Sequence, residues 1–142
     1  MIKTKSYGIC LYIKDNGSLK ILLGKAFGKD KWGVLKGVQE FGENRIQTAQ
    51  REFFEESGIF VETRVFEDFI EQINDTKDVG VYLVNGLKVP NLYRYFDGYR
   101  LKEQFQTCEN EDVQFFDINN LPPIKSKQKK LILEVIAVLN SY

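Results

Sequence analysis

The sequence predicts an α+β fold in which a mixed sheet lies between two helices. Two segments far apart in the chain, 45–57 and 126–140, carry apolar residues at helical spacing. The stretches before and between them are short, rich in β-branched and aromatic residues, and separated by Gly, Asn and Pro turn signals. Such an order favours a central sheet with a helix on either side. Because no repeat or linker interrupts the pattern, we interpret residues 1–142 as a single domain.

The chain opens with a predicted β-hairpin. Residues 3–14 and 19–27 are rich in Ile, Leu and Tyr, as strands are. Asn16 and Gly17 lie between them, and an Asn-Gly pair adopts positive φ readily, which favours a tight turn. Residues 32–39 predict a short strand followed by a glycine-rich turn.

The segment 45–57 is predicted to be a helix with both ends marked. Asn44 is a good N-cap, and Gln47 occupies the position of its capping-box partner. Three residues at helical spacing predict one apolar face, Ile46, Ala49 and Phe53. Gly58 is well placed to end the helix in a left-handed conformation.

Four further strands and a closing helix are predicted. The strands are 61–70, 79–84, 92–99 and 113–117, with an Asp-Gly turn or bulge in the third. The final helix, 126–140, follows a Leu-Pro-Pro stop. Its buried side is predicted to contain Leu131, Val135, Val138 and Leu139.

Composition excludes several kinds of chemistry. The chain has no histidine, which rules out Ser-His-Asp and Cys-His nucleophile systems and any histidine-ligated metal site. Twenty basic and twenty acidic side chains cancel, so nucleic acid is not an expected partner. Any acid–base or metal chemistry therefore depends on carboxylates, Lys, Tyr or water.

Composition also bears on the compartment. Cys10 and Cys108 are too few and too far apart for a disulfide framework, which favours reduced thiols in the cytoplasm. The first residues lack the apolar segment of a signal peptide, and no apolar run approaches the roughly 20 residues that cross a bilayer. We therefore expect a cytoplasmic protein without a membrane partner.

Crowded carboxylates mark the second half of the predicted helix. Glu55 and Glu56 follow Glu52 by three and four residues, so all three lie on one side. They repel one another unless a hard cation such as Mg²⁺ binds them through oxygen. Arg51 adjoins them and can pair with Glu43 or Glu55, which would hold a carboxylate in place. The alternative is a solvated charged face, but acidic residues near a helix C-terminus oppose the helix dipole.

The stretch 37–59, GVQEFGENRIQTAQREFFEESGI, matches the Nudix box, G-x5-E-x7-R-E-U-x-E-E-x-G-U, in which U is a bulky aliphatic or aromatic residue. The fixed positions are Gly37, Glu43, Arg51, Glu52, Glu55, Glu56 and Gly58, and the U positions are Phe53 and Ile59. By this long motif the chain is identified as a member of the Nudix superfamily. Weaker resemblance, in the strand order, in Trp32 before the box and in the closing helix, covers nearly the whole domain.

The resemblance implies an αβα sandwich that cleaves a pyrophosphate linkage in a nucleoside diphosphate derivative. By motif position, Glu52, Glu55 and Glu56 bind Mg²⁺, with Mn²⁺ as the alternative ion, and the backbone carbonyl of Lys36 is a further ligand. Divalent ions neutralise phosphate charge and lower the pKa of bound water, which agrees with this chemistry. The number of ions stays open.

The resemblance also implies catalytic roles. Glu52, or a glutamate outside the box, takes the proton of the attacking water, while Arg51 and Glu43 orient the other carboxylates. Family members often carry a glutamate shortly before a C-terminal aromatic strand, where this chain has Glu109 and Glu111. Glu109 has the better spacing, and an exposed acidic loop is the alternative for either. The predicted catalytic set is therefore Glu52, Glu55, Arg51 and Glu109.

The predicted substrate class depends on the residues before and within the box. WGVLKGVQEFGE is similar to the WxxPKGxxExGE run of dinucleoside polyphosphate hydrolases, so diadenosine tetraphosphate is the first candidate. Leu35 departs from that run, where the group has Pro, and Thr76 stands where it has Tyr. The alternatives are an RNA 5′-pyrophosphohydrolase, a nucleoside triphosphate or nucleotide-sugar (ADP-ribose-like) pyrophosphatase, and a non-catalytic nucleotide-sensing module.

Cationic and aromatic residues outside the helix are candidates for the substrate pocket. Four lysines are predicted to meet a polyphosphate, with simple solubility as the alternative: Lys25, Lys29, Lys31 and Lys36. Trp32 either stacks on a base or packs in the core. Tyr93 belongs to an aromatic segment that forms either a base clamp or core, Tyr93, Tyr95, Phe96 and Tyr99. The expected partner is a small nucleotide, and the choice between monomer and homodimer stays open.

Overall fold

The computed structural model describes residues 2–142. Its helices are α1, Arg45–Ser57, and α2, Lys129–Ser141. In chain order the strands are β1 Thr4–Asp15, β2 Ser18–Ala26, β3 Leu35–Val38, β4 Phe69–Gln72, β5 Lys77–Asn85, β6 Phe96–Asp97, β7 Arg100–Leu101 and β8 Asn110–Asp117. Short 3₁₀ turns occur at Thr63–Val65, Gly86–Lys88, Leu92–Tyr95, Glu103–Phe105 and Ser126–Gln128.

The strands join one sheet of mixed direction. Seven follow the order β4-β5-β1-β2-β8-β7-β6, and β3 pairs with β1 beside that path. β1 runs parallel to β5 and antiparallel to β2 and β3. Residues 6–9 of β1 pair with β3, and residues 12–15 pair with β2. The first half of β1 therefore positions β3, which also contacts α1.

The two faces of the sheet form two separate cores. Alternate residues of a strand point to opposite faces. Ile9 and Leu11 of β1 pack in one cluster with Phe53 of α1. Cys10 belongs to the other cluster, together with Leu131 of α2. The sheet thus lies between the helices, and the predicted α+β sandwich is confirmed.

The local signals at the hairpin and around α1 are confirmed. Asn16 and Gly17 form the turn between β1 and β2 with φ of 50° and 80°. Asn44 and Gln47 form a capping box, in which each side chain accepts the backbone N–H of the other. Gly58 ends α1 in the left-handed conformation, with φ of 75°.

The predicted strand 61–70 is wrong over most of its length. The chain forms the 3₁₀ turn Thr63–Val65, and β4 begins only at Phe69. Val61 and Val65 both reach the core on the α1 side, although Thr63–Val65 forms a 3₁₀ turn and not a strand. Apolar residues four positions apart are compatible with a turn as well as a strand, so periodicity alone misassigned this segment.

Three smaller predictions are also corrected. The aromatic segment 92–99 is not one strand, because Asn91 has φ of 56° and starts the 3₁₀ turn Leu92–Tyr95 before the short β6–β7 hairpin. Ile46 is 39% exposed and does not belong to the apolar face of α1. The closing helix begins at Lys129, three residues later than predicted. Within residues 2–142, neither helix has the length and apolar character needed to cross a bilayer.

Candidate active site

Glu56 is buried because it lies on the inward face of α1. Ala49, Phe53 and Glu56 follow one another at spacings of four and three residues, so they share one side of the helix. Ala49 and Phe53 are fully buried, and Glu56 is only 6% exposed. The helix therefore carries a carboxylate from its apolar face into the protein.

One oxygen of this carboxylate has a partner and the other does not. Asn110 donates a hydrogen bond from Nδ2 to Glu56 Oε1 at 3.0 Å. Glu56 Oε2 is buried and has no hydrogen-bond partner among the described residues. Burial is the main cause that raises the pKa of Glu56 to about 8, and the charges of Glu52 and Glu109 act in the same direction. The hydrogen bond from Asn110 opposes them.

Glu52 lies directly against β3. A Cβ atom at Gly37 would lie 1.9 Å from the carboxyl carbon of Glu52, so only glycine leaves room for this side chain. Burial raises the pKa of Glu52, hydrogen bonding to Arg51 lowers it, and the charges of Glu55 and Glu109 raise it. Gly37, the first glycine of the box, is therefore required because any side chain there would collide with Glu52, 15 residues later.

Arg51 connects the carboxylates. Its Nε donates to Glu43 Oε2 at 2.6 Å, and its Nη2 donates to Glu43 Oε1 at 3.0 Å. Its Nη1 lies 3.0 Å from Oε1 of both Glu52 and Glu55. Hydrogen bonding to Arg51 is the main cause that lowers the pKa of Glu43 to about 2. One guanidinium thus compensates three carboxylates, including both predicted partners, Glu43 and Glu55.

The loop before β8 brings Glu109 toward the same site. The charge of Glu109 contributes to the raised pKa of both Glu52 and Glu56, which places the three carboxylates in one electrostatic neighbourhood. Glu111 points elsewhere, because it forms an ion pair of 2.6 Å with Lys25. Of the two sequence candidates, Glu109 is therefore the one that the fold brings to α1.

These residues fit a hard divalent cation. Within residues 2–142, no three acidic, His or Cys side chains converge closely enough to enclose an ion by themselves. Glu56 nevertheless presents a buried oxygen without a partner among the described residues, Glu52 is confined beside Gly37, and Lys36 precedes that glycine in β3. Mg²⁺ suits such an open set, because it normally keeps several waters and takes further oxygens from substrate phosphates.

A cavity rich in lysine lies on the other face of β3. Its volume is about 390 Å³, and residues of the end of β2, the β2–β3 loop, β3, β5 and the segment just before α2 line it. We call it the lysine cavity after six of its lining residues, Lys29, Lys31, Lys36, Lys77, Lys125 and Lys127. Asp30 is the single acidic residue among the described lining residues.

The lysines of this cavity repel one another. Burial is the main cause that lowers the pKa of Lys36 to about 8, and the neighbouring Lys77 and Lys125 add to the effect. Burial also lowers the pKa of Lys125, and again Lys77 contributes. The opposing influence in both cases is the negative charge of Glu56, so the cavity and the carboxylates are close enough to interact.

The structure separates the other predicted pocket residues. Lys31 lines the lysine cavity beside Lys36. Trp32 is 8% exposed, and its ring meets Phe116 edge-on at a centroid distance of 4.7 Å. Tyr93 is 72% exposed and lines a different depression, at the far end of β1. That end is roughly 20 Å along the strand from the residues that pair with Lys36.

Two functional residues escaped sequence reasoning. Asn110 holds Glu56 across 54 residues of sequence, and Lys77 lies in the cavity beside Lys36. The position of Asn110, directly after Glu109 and at the start of β8, is the one local hint. Lys77 follows a turn, and no local sequence pattern marks it, because the parallel pairing of β5 with β1 is what determines its position.

The fold and site together define an αβα-sandwich domain with an acidic helix on one side of the sheet and a cationic cavity on the other. The chain belongs to the NUDIX domain family, whose model matches residues 3–135. This finding confirms the family identified from the box.

Relatives and solved structures agree with this assignment. The chain is 29% identical over 110 residues to an oxidized purine nucleoside triphosphate hydrolase of Danio rerio, covering 72% of this chain and 62% of that protein. The chain thus spans less than two thirds of that relative's length. A binary complex of the C. elegans Ap4A hydrolase superimposes with a TM-score of 0.68 at 18% identity, over 98% of this chain and 99% of that one. The NUDIX domain of Shewanella oneidensis NrtR, complexed with ADP ribose, gives 0.68 at 15% identity, over 98% and 90%.

Proposed function

We propose that the chain is a Mg²⁺-dependent hydrolase of a pyrophosphate bond in a nucleoside diphosphate derivative, with a dinucleoside polyphosphate such as diadenosine tetraphosphate as the first candidate substrate. Mn²⁺ is the alternative ion. The observation that carries this proposal is the meeting of carboxylates and lysines across β3. Gly37 borders the half-buried Glu52, whereas the adjacent Lys36 faces the lysine cavity.

Each group has a part in the reaction. Glu52, Glu55, Glu56 and the carbonyl of Lys36 would hold the cation, which when bound neutralises phosphate charge and acidifies water. Arg51 holds Glu52 and Glu55 in position. Attack of water on phosphorus forms one P–O bond and breaks the bridging P–O bond, while the proton of the water passes to Glu52 or Glu109. Burial raises the pKa of Glu52, which makes it a better proton acceptor near neutral pH.

A nucleoside triphosphate is the second candidate substrate. The Danio rerio relative is named as a hydrolase of oxidized purine nucleoside triphosphates, although this chain spans only 62% of it. The lysine cavity suits a triphosphate as well as a tetraphosphate bridge. Two free thiols, a buried Cys10 and an exposed Cys108, agree with a cytoplasmic location, which we include in the proposal.

The test is a hydrolysis screen with Mg²⁺ and, in parallel, Mn²⁺. Substrates are diadenosine tetraphosphate, nucleoside triphosphates, nucleotide sugars and triphosphorylated RNA, with products separated by anion exchange. We expect diadenosine tetraphosphate to be cut fastest, and Glu56→Gln to lose at least about a hundredfold in kcat. Glu134→Gln, at an exposed position of α2, is the matched control and should keep full activity. Absence of cleavage with either ion, or an active Glu56→Gln, would refute the proposal.

A further inference from the structure

The lysine cavity lacks the groups that recognise a nucleobase. None of its described lining residues is aromatic, so a base that entered would have no ring to stack on. The nearest predicted stacking residue, Trp32, packs against Phe116 and is 8% exposed. The single lining side-chain amide, Gln128, accepts the backbone N–H of Val34 at 2.8 Å with its Oε1 and is 3% exposed. A base would therefore meet mainly ammonium groups and aliphatic chain, with the Asp30 carboxylate and the Ser126 hydroxyl as the other polar side chains.

The same cavity carries an uncompensated positive charge. Six lysines and one aspartate line it, which leaves an excess of five formal positive charges. Within residues 2–142, none of these lysines forms a salt bridge with a carboxylate, whereas Lys3 and Lys25 outside the cavity both do. Like charges at close range cost stability unless an anion joins them. Ammonium groups bind phosphate oxygens through strong, charge-assisted hydrogen bonds.

The position of the cavity directs a bound anion toward the carboxylates. Lys36 contributes its side chain to the cavity, and the next residue, Gly37, borders Glu52 on the opposite face of β3. The cavity and the carboxylates thus meet at β3, and the charge of Glu56 acts on Lys36. The volume of about 390 Å³ is within the range of small-molecule sites.

We propose that the lysine cavity binds a linear chain of three or more phosphates and leaves the base outside, so that the protein selects substrates by phosphate number and not by base. This inference rests on the proposed function for its catalytic consequence, but not for binding. Each added phosphate brings negative charge within reach of further lysines. Exchanging one base for another changes no contact in the cavity.

Binding is tested without catalysis. Inorganic tripolyphosphate is titrated calorimetrically into the protein in the presence of EDTA, with adenosine as the uncharged comparison. We expect tripolyphosphate to bind and adenosine not to bind measurably. Lys77→Met should weaken tripolyphosphate binding roughly tenfold, because one charge-assisted hydrogen bond is lost. Lys77→Arg should restore most of it. Lys130→Met, on the exposed side of α2 and outside the cavity, is the matched control and should bind as wild type.

Selectivity is tested by kinetics with Mg²⁺. Across adenosine di-, tri- and tetraphosphate we expect kcat/KM to rise with each added phosphate. Across the adenine, guanine, cytosine and uracil nucleoside triphosphates we expect kcat/KM to differ by no more than about threefold. Discrimination between bases beyond tenfold, or tripolyphosphate binding that is equal in wild type and Lys77→Met, would overturn the inference while leaving hydrolysis intact. Conversely, lysine-dependent tripolyphosphate binding without cleavage of any substrate would support the inference and refute the proposed function. Circular dichroism and thermal unfolding verify that each variant is folded.

Discussion

The two faces of β3 present opposite charges that are managed in opposite ways. On the α1 side three acidic groups find compensation within the protein, because Arg51 contacts Glu43, Glu52 and Glu55 at 2.6 to 3.0 Å, whereas Glu56 has only a hydrogen bond from Asn110. On the α2 side no described carboxylate forms a salt bridge with the cavity lysines, and the charge of Lys77 adds to burial in lowering the pKa of Lys36 and of Lys125. Under the proposed function, Arg51 holds the acidic side in shape, whereas the cationic side receives an anion.

The two sides also differ in how the chain assembles them. Glu52, Glu55 and Glu56 lie within two turns of one helix, and most of their support comes from residues 37–51, with Asn110 of β8 as the distant partner of Glu56. The cavity lysines come from the β2–β3 loop, β3, β5 and the segment before α2. Under the proposed function, cleavage of the bond would therefore depend mainly on local sequence, and substrate selectivity on tertiary packing.

The largest effect is expected from removal of the internal compensation on the acidic side. Arg51→Ala would leave Glu43, Glu52 and Glu55 without their shared cation and release their geometry. We expect about 3 kcal/mol lower unfolding free energy, since breaking a partly buried ion network leaves uncompensated charge. Activity should fall by at least about a hundredfold. Urea unfolding and steady-state kinetics measure the two losses.

Arg64→Ala is the matched control for that variant. Arg64 pairs only with its exposed neighbour Glu62, so its removal should change stability by less than about 0.5 kcal/mol. If Arg51→Ala were as stable and active as Arg64→Ala, the acidic side would not depend on internal compensation, and the contrast between the two faces would be lost.

The acidic side was largely predictable because its signals are local. Asn44, Gln47 and Gly58 mark the ends of α1, and the helix spans the predicted residues. The spacing of Glu52, Glu55 and Glu56 follows directly from the helix. What could not be predicted is the depth of Glu56, because its burial depends on α1 packing against the sheet, and its partner Asn110 comes from β8.

The cationic side was predictable only in part. Lys29, Lys31 and Lys36 were candidates because they cluster in sequence, but Lys25 instead pairs with Glu111. Lys77 joins the cavity through the parallel pairing of β5 with β1, which no local pattern reveals. Tyr93 shows the opposite case, since this aromatic residue was a pocket candidate but is exposed at the far end of β1, away from the site.

The second prediction concerns the pH dependence of the acidic side. The pKa of Glu56 is about 8 in the folded protein and about 4.5 in the unfolded chain. Between these values the unfolded chain has already released a proton that the folded protein retains, so metal-free wild type loses stability as pH rises through this window. Glu56→Gln does not titrate. In the absence of metal, the unfolding free energy of Glu56→Gln relative to that of wild type should therefore rise by on the order of 2–3 kcal/mol between pH 5 and pH 9.

Thermal unfolding in EDTA at several pH values measures this difference. Addition of Mg²⁺ at pH 9 should reduce the stability difference between Glu56→Gln and wild type, because the ionised carboxylate of wild type binds the cation better than the Gln side chain does. Glu134→Gln, exposed on α2, should follow wild type at every pH. A gap that does not depend on pH would mean that Glu56 is already ionised in the folded protein without a cation.

The smallest effect is expected on the cationic side and has the opposite sign to that of Arg51→Ala. Lys77→Met removes a positive charge beside Lys36 and Lys125 and keeps the aliphatic chain, so the unliganded protein should become more stable by about 0.5–1 kcal/mol at low ionic strength. The gain should shrink in high salt, which screens the repulsion, and should reverse when tripolyphosphate stabilises wild type preferentially. Lys130→Met, which removes a charge outside the cavity, should show neither change. If Lys77→Met were less stable than wild type at low salt, the cavity lysines would be compensated within the protein, as the carboxylates around Arg51 are. The two faces of β3 would then not differ in this respect.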